Sequence, residues 1–307
     1  MIDRRDVLAG GAAALLAGPA LAQDAPFFPG FKPFRIKTTG AEINGVVGGS
    51  GPPVLLLHGA PQSHISWRLV APKLAATHTV VVPDLRGYGD SSKPDGGADH
   101  ANYSKRAMAL DQIEVMKSFG FDRFAVIGQD RGGRVAHRLI LDHPGAVTRA
   151  AVLDIVPALY LYNHFSIGFV QAYPHWFSYL RAAPIPETEL MAANKAALAR
   201  ATSDVQKDYL RCMTDMGTIH AMCEDYRASA SIDLKWDADD QAAGKTVAIP
   251  LRVLWAGKGA MGPLFDVLGI WKTYGTNVSG RSLPGGHNLQ EDVPDLVFDE
   301  IMALLKA

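Results

Sequence analysis

The sequence predicts an α/β fold: a mostly parallel sheet with a helical cap inserted into it. Short apolar runs alternate with segments of helical periodicity, the pattern of repeated strand–helix–strand units. One run leads straight into a glycine-rich turn, GQDRGGR (residues 128–134), and then into a helical segment. One stretch, residues 158–247, breaks the rhythm and carries no strong strand signal.

The elements follow in order. PPVLLLHG (residues 52–59) is a short apolar run ending in a turn, as expected of a buried parallel strand. HTVVVPDLRGYGDS carries a second run into a glycine-rich loop at Asp84. SKRAMALDQIEVMKSFG has helical spacing, with Ser104 placed to cap it. RFAVIG is a third strand, VAHRLILDHP the helix after the turn, and TRAAVLDIVP a fourth strand. IPLRVLWAG and VSGRSLPGGHN supply a fifth and a sixth, and DLVFDEIMALLK a closing helix. The core is therefore expected over residues 23–157 and 248–307. Residues 158–247 open with aromatics (Tyr160, Tyr162, Phe165, Tyr173, Trp176, Phe177, Tyr179) and continue as helices. Lying between two core strands, they read as a cap over the strand ends, where open α/β sheets bind ligands.

Residues 1–22 read as an export signal. Arg4 and Arg5 precede an apolar, small-residue stretch from Val7, and Ala20-Leu21-Ala22 forms an A-x-A cleavage pattern before Gln23. The adjacent arginines are of the twin-arginine type, so a periplasmic mature chain beginning near Gln23 is expected. The stretch is short of the ~20 residues of a spanning helix, and no stable membrane association is expected after cleavage. The formal charge of −1 over 307 residues, with no basic block, argues against nucleic acid as a partner. The two cysteines, Cys212 and Cys223, sit in a segment that reads as one helix. They would then lie about 16 Å apart, so buried free thiols are expected. No Cys/His cluster has zinc spacing.

The turn GQDRGGR has the outline G-x-S-x-G, with Asp130 where serine would stand. A sharp strand-to-helix turn presents its apex side chain at the carboxyl end of the sheet, and the positive end of the following helix favours an ionised aspartate. The simpler alternative is a helix-capping aspartate. A carboxylate nucleophile suits displacement at an alkyl carbon, because the resulting ester can be hydrolysed at its own carbonyl; a serine would leave an ether. His287, in LPGGHNL after the last strand, is placed to be the base, and Asp154, ending a strand in VLDIVP, the acid that orients it. HGAP (residues 58–61) ends a strand opposite the turn, and the backbone N–H groups of Ala60 and Arg131 would form an oxyanion hole. Arg131 and Arg134, three apart at the start of a helix, would hold a small carboxylic acid beside the nucleophile; the alternative is structural ion pairing.

Together the turn, HGAP, DLRGYGDSSKP and the late histidine resemble α/β-hydrolases with an aspartate nucleophile, and most of all the haloacetate (fluoroacetate) dehalogenase type. That resemblance also rests on DRGGR, HGAPQSH, the pair His175-Trp176, CEDYRAS and GGHN, and it covers nearly the whole mature chain. It implies that Asp130 displaces halide to form an ester and that His287, oriented by Asp154, activates the water that hydrolyses it. It further implies that Arg131 and Arg134 hold the substrate carboxylate and that His175 and Trp176 donate to the halide. The implied partners are a small haloacid and water, with no cofactor and no metal; oligomeric state is left open, a homodimer included.

Two departures stand out. Gln129 replaces the histidine usual in the haloacetate type. The family's third halide donor, a tyrosine placed after CEDYRA, aligns without gaps to Ser231. On that alignment defluorination would be weakened, unless Tyr226 or another cap tyrosine substitutes. An epoxide hydrolase shares the same Asp/His machinery and needs two cap tyrosines, which this cap could supply; a non-catalytic binding protein on the same fold is the reading from a different class.

Overall fold

A computed structural model of the chain describes residues 27–306. The expected export signal lies outside the described residues. Eight strands form one sheet: β1 (Lys32–Lys37), β2 (Glu42–Gly49), β3 (Pro53–Leu57), β4 (Thr79–Pro83), β5 (Phe124–Gln129), β6 (Val147–Leu153), β7 (Leu251–Ala256) and β8 (Val278–Leu283). Their spatial order is β1-β2-β4-β3-β5-β6-β7-β8. Strands β3 to β8 run parallel, and β2 is antiparallel to both β1 and β4. The six strands read from sequence are β3 to β8. The edge hairpin β1–β2 was not legible, because KPFRIK and EINGVVGG mix charge, proline and glycine and β1 is largely exposed.

Each face of the sheet has its own core. On one face Met108 and Ile113 of the helix Lys105–Ser118 pack with Val135 and Leu139 of the helix Arg131–Asp142. On the other, Val297, Ile301 and Leu304 of the closing helix Pro294–Lys306 cover Val80, Ile127 and Leu283. β5 is buried along its whole length, as a central strand covered on both faces must be. Ser104 caps its helix as expected, its side chain accepting from the Ala107 N–H.

Between β6 and β7 the described residues form seven helices, from Ala158–Asn163 to Ile232–Ala242. Phe169, Trp176, Met222 and Tyr226 of these helices belong to the first core. Each such side chain contributes about 1.5–3 kcal/mol by leaving water, so the cap is docked on the sheet by apolar packing. Cys212 ends one helix and Cys223 lies on the next, Met216–Ser229; both are free and buried. The break between those helices corrects the single helix expected there. No helix among the described residues is long and apolar enough to cross a membrane.

Candidate active site

Asp130 sits between β5 and the helix Arg131–Asp142 with φ of 48° and ψ of −118°, a left-handed conformation that costs a non-glycine residue energy. The turn is held by close approaches. A Cβ on Gly132 would stand 2.5 Å from the carbonyl oxygens of Leu57 and His58, and one on Gly59 would strike Asp130 itself. The Ala60 N–H donates to Asp130 Oδ1 at 3.1 Å. Arg131 is the first residue of its helix, where a backbone N–H has no intrahelical acceptor.

Asp130 Oδ2 lies 3.6 Å from His287 Nε2. On the other side of the ring, His287 Nδ1 is 2.6 Å from Asp154 Oδ2. A carboxylate only accepts, so Nδ1 carries the proton and Nε2 faces Asp130. Asp154, fully buried at the end of β6, is itself fixed by the Ala256 N–H, which donates to Oδ1 at 2.9 Å. The structure thus brings Asp130, Asp154 and His287 into one row, hydrogen-bonded at Asp154 and at ion-pair distance at Asp130. Burial pushes the Asp130 carboxyl up, but the hydrogen bond and charge of His287, with Arg131 and Arg134, outweigh it and hold it well below the usual carboxylate range. Burial works against imidazolium at His287, yet its hydrogen bonds to the two carboxylates prevail and its pKa is pushed up to about 10. Its side chain keeps 34 % of its surface open, enough for water to reach it.

Asp130, Asp154 and His287 line one cavity of about 180 Å³ together with Ala60, Arg134, Tyr173, His175, Trp176, Tyr179 and Tyr226. Of the two arginines, only Arg134 lines it. Its guanidinium lies over the Trp176 ring at 4.9 Å and makes one hydrogen bond, to the Val156 carbonyl at 3.2 Å. Arg134 Nε has no partner. Burial, then the charge of Arg131, lowers its pKa.

Arg131 corrects an expectation. Its side chain is fully buried and grips Asp225 through Nε at 2.9 Å and Nη2 at 2.5 Å, and Nη2 also donates to Ser229 Oγ at 2.5 Å. Asp225 further accepts from Lys105 and from the Tyr88 hydroxyl. Arg131 is therefore the structural ion pair and Arg134 the cation facing the cavity, with only Nη1 of Arg131 left unpartnered.

His175 and Trp176 line the cavity, and Tyr226 packs edge-on against both rings, at 6.0 Å and 5.6 Å. The Trp176 indole N–H and the Tyr226 hydroxyl have no hydrogen-bond partner among the described residues. Ser231 is elsewhere: it is exposed, beyond the end of the helix Met216–Ser229, and its hydroxyl donates to the Arg227 carbonyl at 2.8 Å. Ser231 therefore faces solvent rather than the cavity, and the tyrosine beside the His-Trp pair is Tyr226.

Residues 52–294 match the family model described as the alpha/beta hydrolase fold. The chain belongs to the α/β-hydrolase family. A fluoroacetate dehalogenase of Burkholderia sp is 42% identical to this α/β hydrolase, over 87% of this chain and 91% of the relative. A soluble epoxide hydrolase of Corynebacterium sp. (strain C12) is 33% identical over 84% of this chain and 93% of its own. The solved structure of the ligand-free epoxide hydrolase CorEH superposes with a TM-score of 0.81 at 29% identity, covering 90% of this chain and 99% of that one.

Two residues of this hydrolase's site carry no role in the sequence reading. Asp225 was quoted within CEDYRAS without a role; on a helix Asp225 and Ser229 are i and i+4, one face, which is how both reach Arg131. Gln129, the last residue of β5, is fully buried, and its Nε2 lies 3.2 Å from both His287 Nε2 and the His287 carbonyl oxygen. It holds the histidine from a third side.

Proposed function

We propose that this enzyme hydrolytically removes halide from small 2-haloacids such as haloacetates, through an ester on Asp130. The observation that carries the reading is the row Asp154–His287–Asp130 opening on the same cavity as the guanidinium of Arg134. Arg134 holds the substrate carboxylate, and Asp130 Oδ2 attacks the α-carbon from the side opposite the halide. The C–halide bond breaks as the C–O bond forms, and the halide leaves toward the N–H groups of His175 and Trp176 and the Tyr226 hydroxyl. His287 then takes a proton from water, which attacks the ester carbonyl; the charge developing on Oδ1 is met by the Ala60 N–H already bonded there. The hydroxyacid leaves and the carboxylate is restored.

With Tyr226 beside the His-Trp pair, the reason to expect weakened defluorination disappears. The test is halide release from chloroacetate and fluoroacetate, with Asp130→Asn and His287→Asn in parallel. Asp130→Asn should release none. His287→Asn should release one halide per active site and retain a carboxymethyl ester on Asp130, visible by mass spectrometry of the peptide. Turnover by Asp130→Asn, or no trapped ester, would refute the mechanism. Export to a periplasm stays part of this proposal, tested by fractionating cells that express the full chain with and without Arg4 and Arg5.

A further inference from the structure

Arg134 lines two cavities. One is the catalytic cavity; the other, of about 10 Å³, is walled also by Lys105, His137, Arg138, Asp233 and Asp237. The second has room for about one water. Arg134 enters this back cavity under-used, with one hydrogen bond, to the Val156 carbonyl, and an Nε without a partner. Asp237, on the helix Ile232–Ala242, is under-used from the other side. Its one hydrogen bond among the described residues comes from Arg138 Nη1 at 3.2 Å, the longest of the three that Arg138 makes to carboxylates. The other two carboxylates each have a second cation: Arg106 lies 2.9 Å from Asp142, and Lys245 lies 2.6 Å from Asp240. Asp237 has no second cation at that range among the described residues. Asp233, on the same helix, adds a like charge and is held by Lys105, whose backbone N–H donates to it at 2.9 Å. Asp225, on the helix Met216–Ser229, is taken by Arg131 and Lys105. His137 brings no charge, because burial, with Arg138 and Arg134, pushes it down to about 3. Burial likewise pushes Tyr162 up to about 12 and raises Tyr274, so both phenols stay neutral. Burial first, then Asp233, pushes the Asp237 carboxyl up to about 7 against the charges of Arg138 and Arg134.

We propose that Asp237 is a positioning residue that acts through Arg134: ionised, it competes from the back cavity with the substrate carboxylate for the guanidinium, and protonated, it leaves Arg134 to the substrate. The proposal rests on the reading of Arg134 as the carboxylate ligand. A single water in the back cavity would accept from Arg134 Nε and donate to the Asp237 carboxylate, linking the two groups without direct contact. The link works in both directions. A carboxylate bound to Arg134 cancels the positive charge that favours ionised Asp237, so binding takes up a fraction of a proton where Asp237 titrates. The other charges at the site do not change there: Asp130 is held well below the usual carboxylate range, and His287 is pushed up to about 10. Acid affinity is therefore highest on the acid side of neutrality and falls as pH rises through the Asp237 transition.

The experiment titrates acetate, a carboxylate with nothing to displace, into the full-length enzyme by calorimetry from about pH 5.5 to about pH 8.5, in buffers of different ionisation enthalpy. Asp237 keeps 15 % of its side-chain surface open, so water screens the competition, and Kd should rise roughly 2- to 5-fold across the range. Proton uptake should accompany binding and peak where Asp237 titrates, about pH 7. Asp237→Asn, which keeps the shape of the side chain, should hold Kd at its low-pH value throughout and abolish the uptake. Its KM for chloroacetate should fall on the alkaline side by the same factor. The uptake in the wild type needs no variant, so it tests the proposal even where Asp237→Asn folds poorly. A flat Kd without uptake, or uptake that persists in Asp237→Asn, would overturn the proposal while leaving Arg134 as the ligand. A wild type that does not bind acetate, or an Arg134→Met that binds it as tightly, would remove the carboxylate ligand itself and this proposal with it.

Discussion

His287 is pushed up to about 10 by two carboxylates, so it is protonated at neutral pH in the resting enzyme and cannot take a proton from water. The proposed ester resolves this. Alkylation removes the charge of Asp130, and with it one of the two groups that hold the imidazolium. At the 3.6 Å between His287 Nε2 and Asp130 Oδ2, that attraction is worth about 4.6 kcal/mol at an effective dielectric of ~20, or roughly 3 pKa units. The ring is 34 % open, so cavity water screens part of it, and about 1.5 units is the lower outcome. Asp130→Asn mimics the neutral ester and isolates this effect. NMR titration of the His287 ring should place the wild-type pKa near 10 and that of Asp130→Asn between about 7 and 8.5. The base would then be switched on by the intermediate it must hydrolyse. A wild-type His287 that titrates at its ordinary value, or an Asp130→Asn shift under half a unit, would refute this reasoning.

Four other outcomes follow. Because the folded-state pKa of His287 lies above its unfolded value, its pairing stabilises the fold fully below about pH 6.5 and is lost as pH rises toward about 10; wild-type Tm should fall more than that of Asp130→Asn across this window. Arg131→Met breaks a buried pair and should cost about 3–5 kcal/mol in urea unfolding, whereas Arg134→Met should mainly raise KM for chloroacetate by about 10- to 100-fold; the reverse pattern would return Arg131 to the substrate. Tyr226→Phe should slow fluoride release by about 10-fold or more and chloride release less, while Ser231→Ala leaves both rates unchanged within error, a split read directly with halide electrodes. Gln129→Met removes the amide that donates to the His287 carbonyl oxygen and should slow ester hydrolysis without slowing the halide burst, and Gln129→His, which keeps an N–H, should restore part of it; an unaltered decay of the ester in single-turnover experiments would leave Gln129 no such role.

What the sequence makes legible is what short-range geometry decides. Asp130 is readable because a carboxylate between a buried strand and a glycine-rich helix start can only sit at the apex of the turn, and Asp154 and His287 because each follows a strand on the same edge. The arginines divide the other way. Arg131, next to Asp130, looks the better substrate ligand, but its partner Asp225 lies 94 residues downstream on a cap helix, and no local pattern reveals that they meet. Once they do, the roles follow from charge: Asp225 neutralises Arg131, and Arg134, left with a single carbonyl partner, is the cation still able to attract an acid into the cavity. The error at Ser231 has the same origin. Counting along the chain assumes that the helix continues, but it ends at Ser229, and five residues past Tyr226 the chain has turned to solvent. In the cap, where helices are short and their junctions set direction, the side chains that face the cavity, Tyr226 among them, are placed by packing against His175 and Trp176 rather than by spacing.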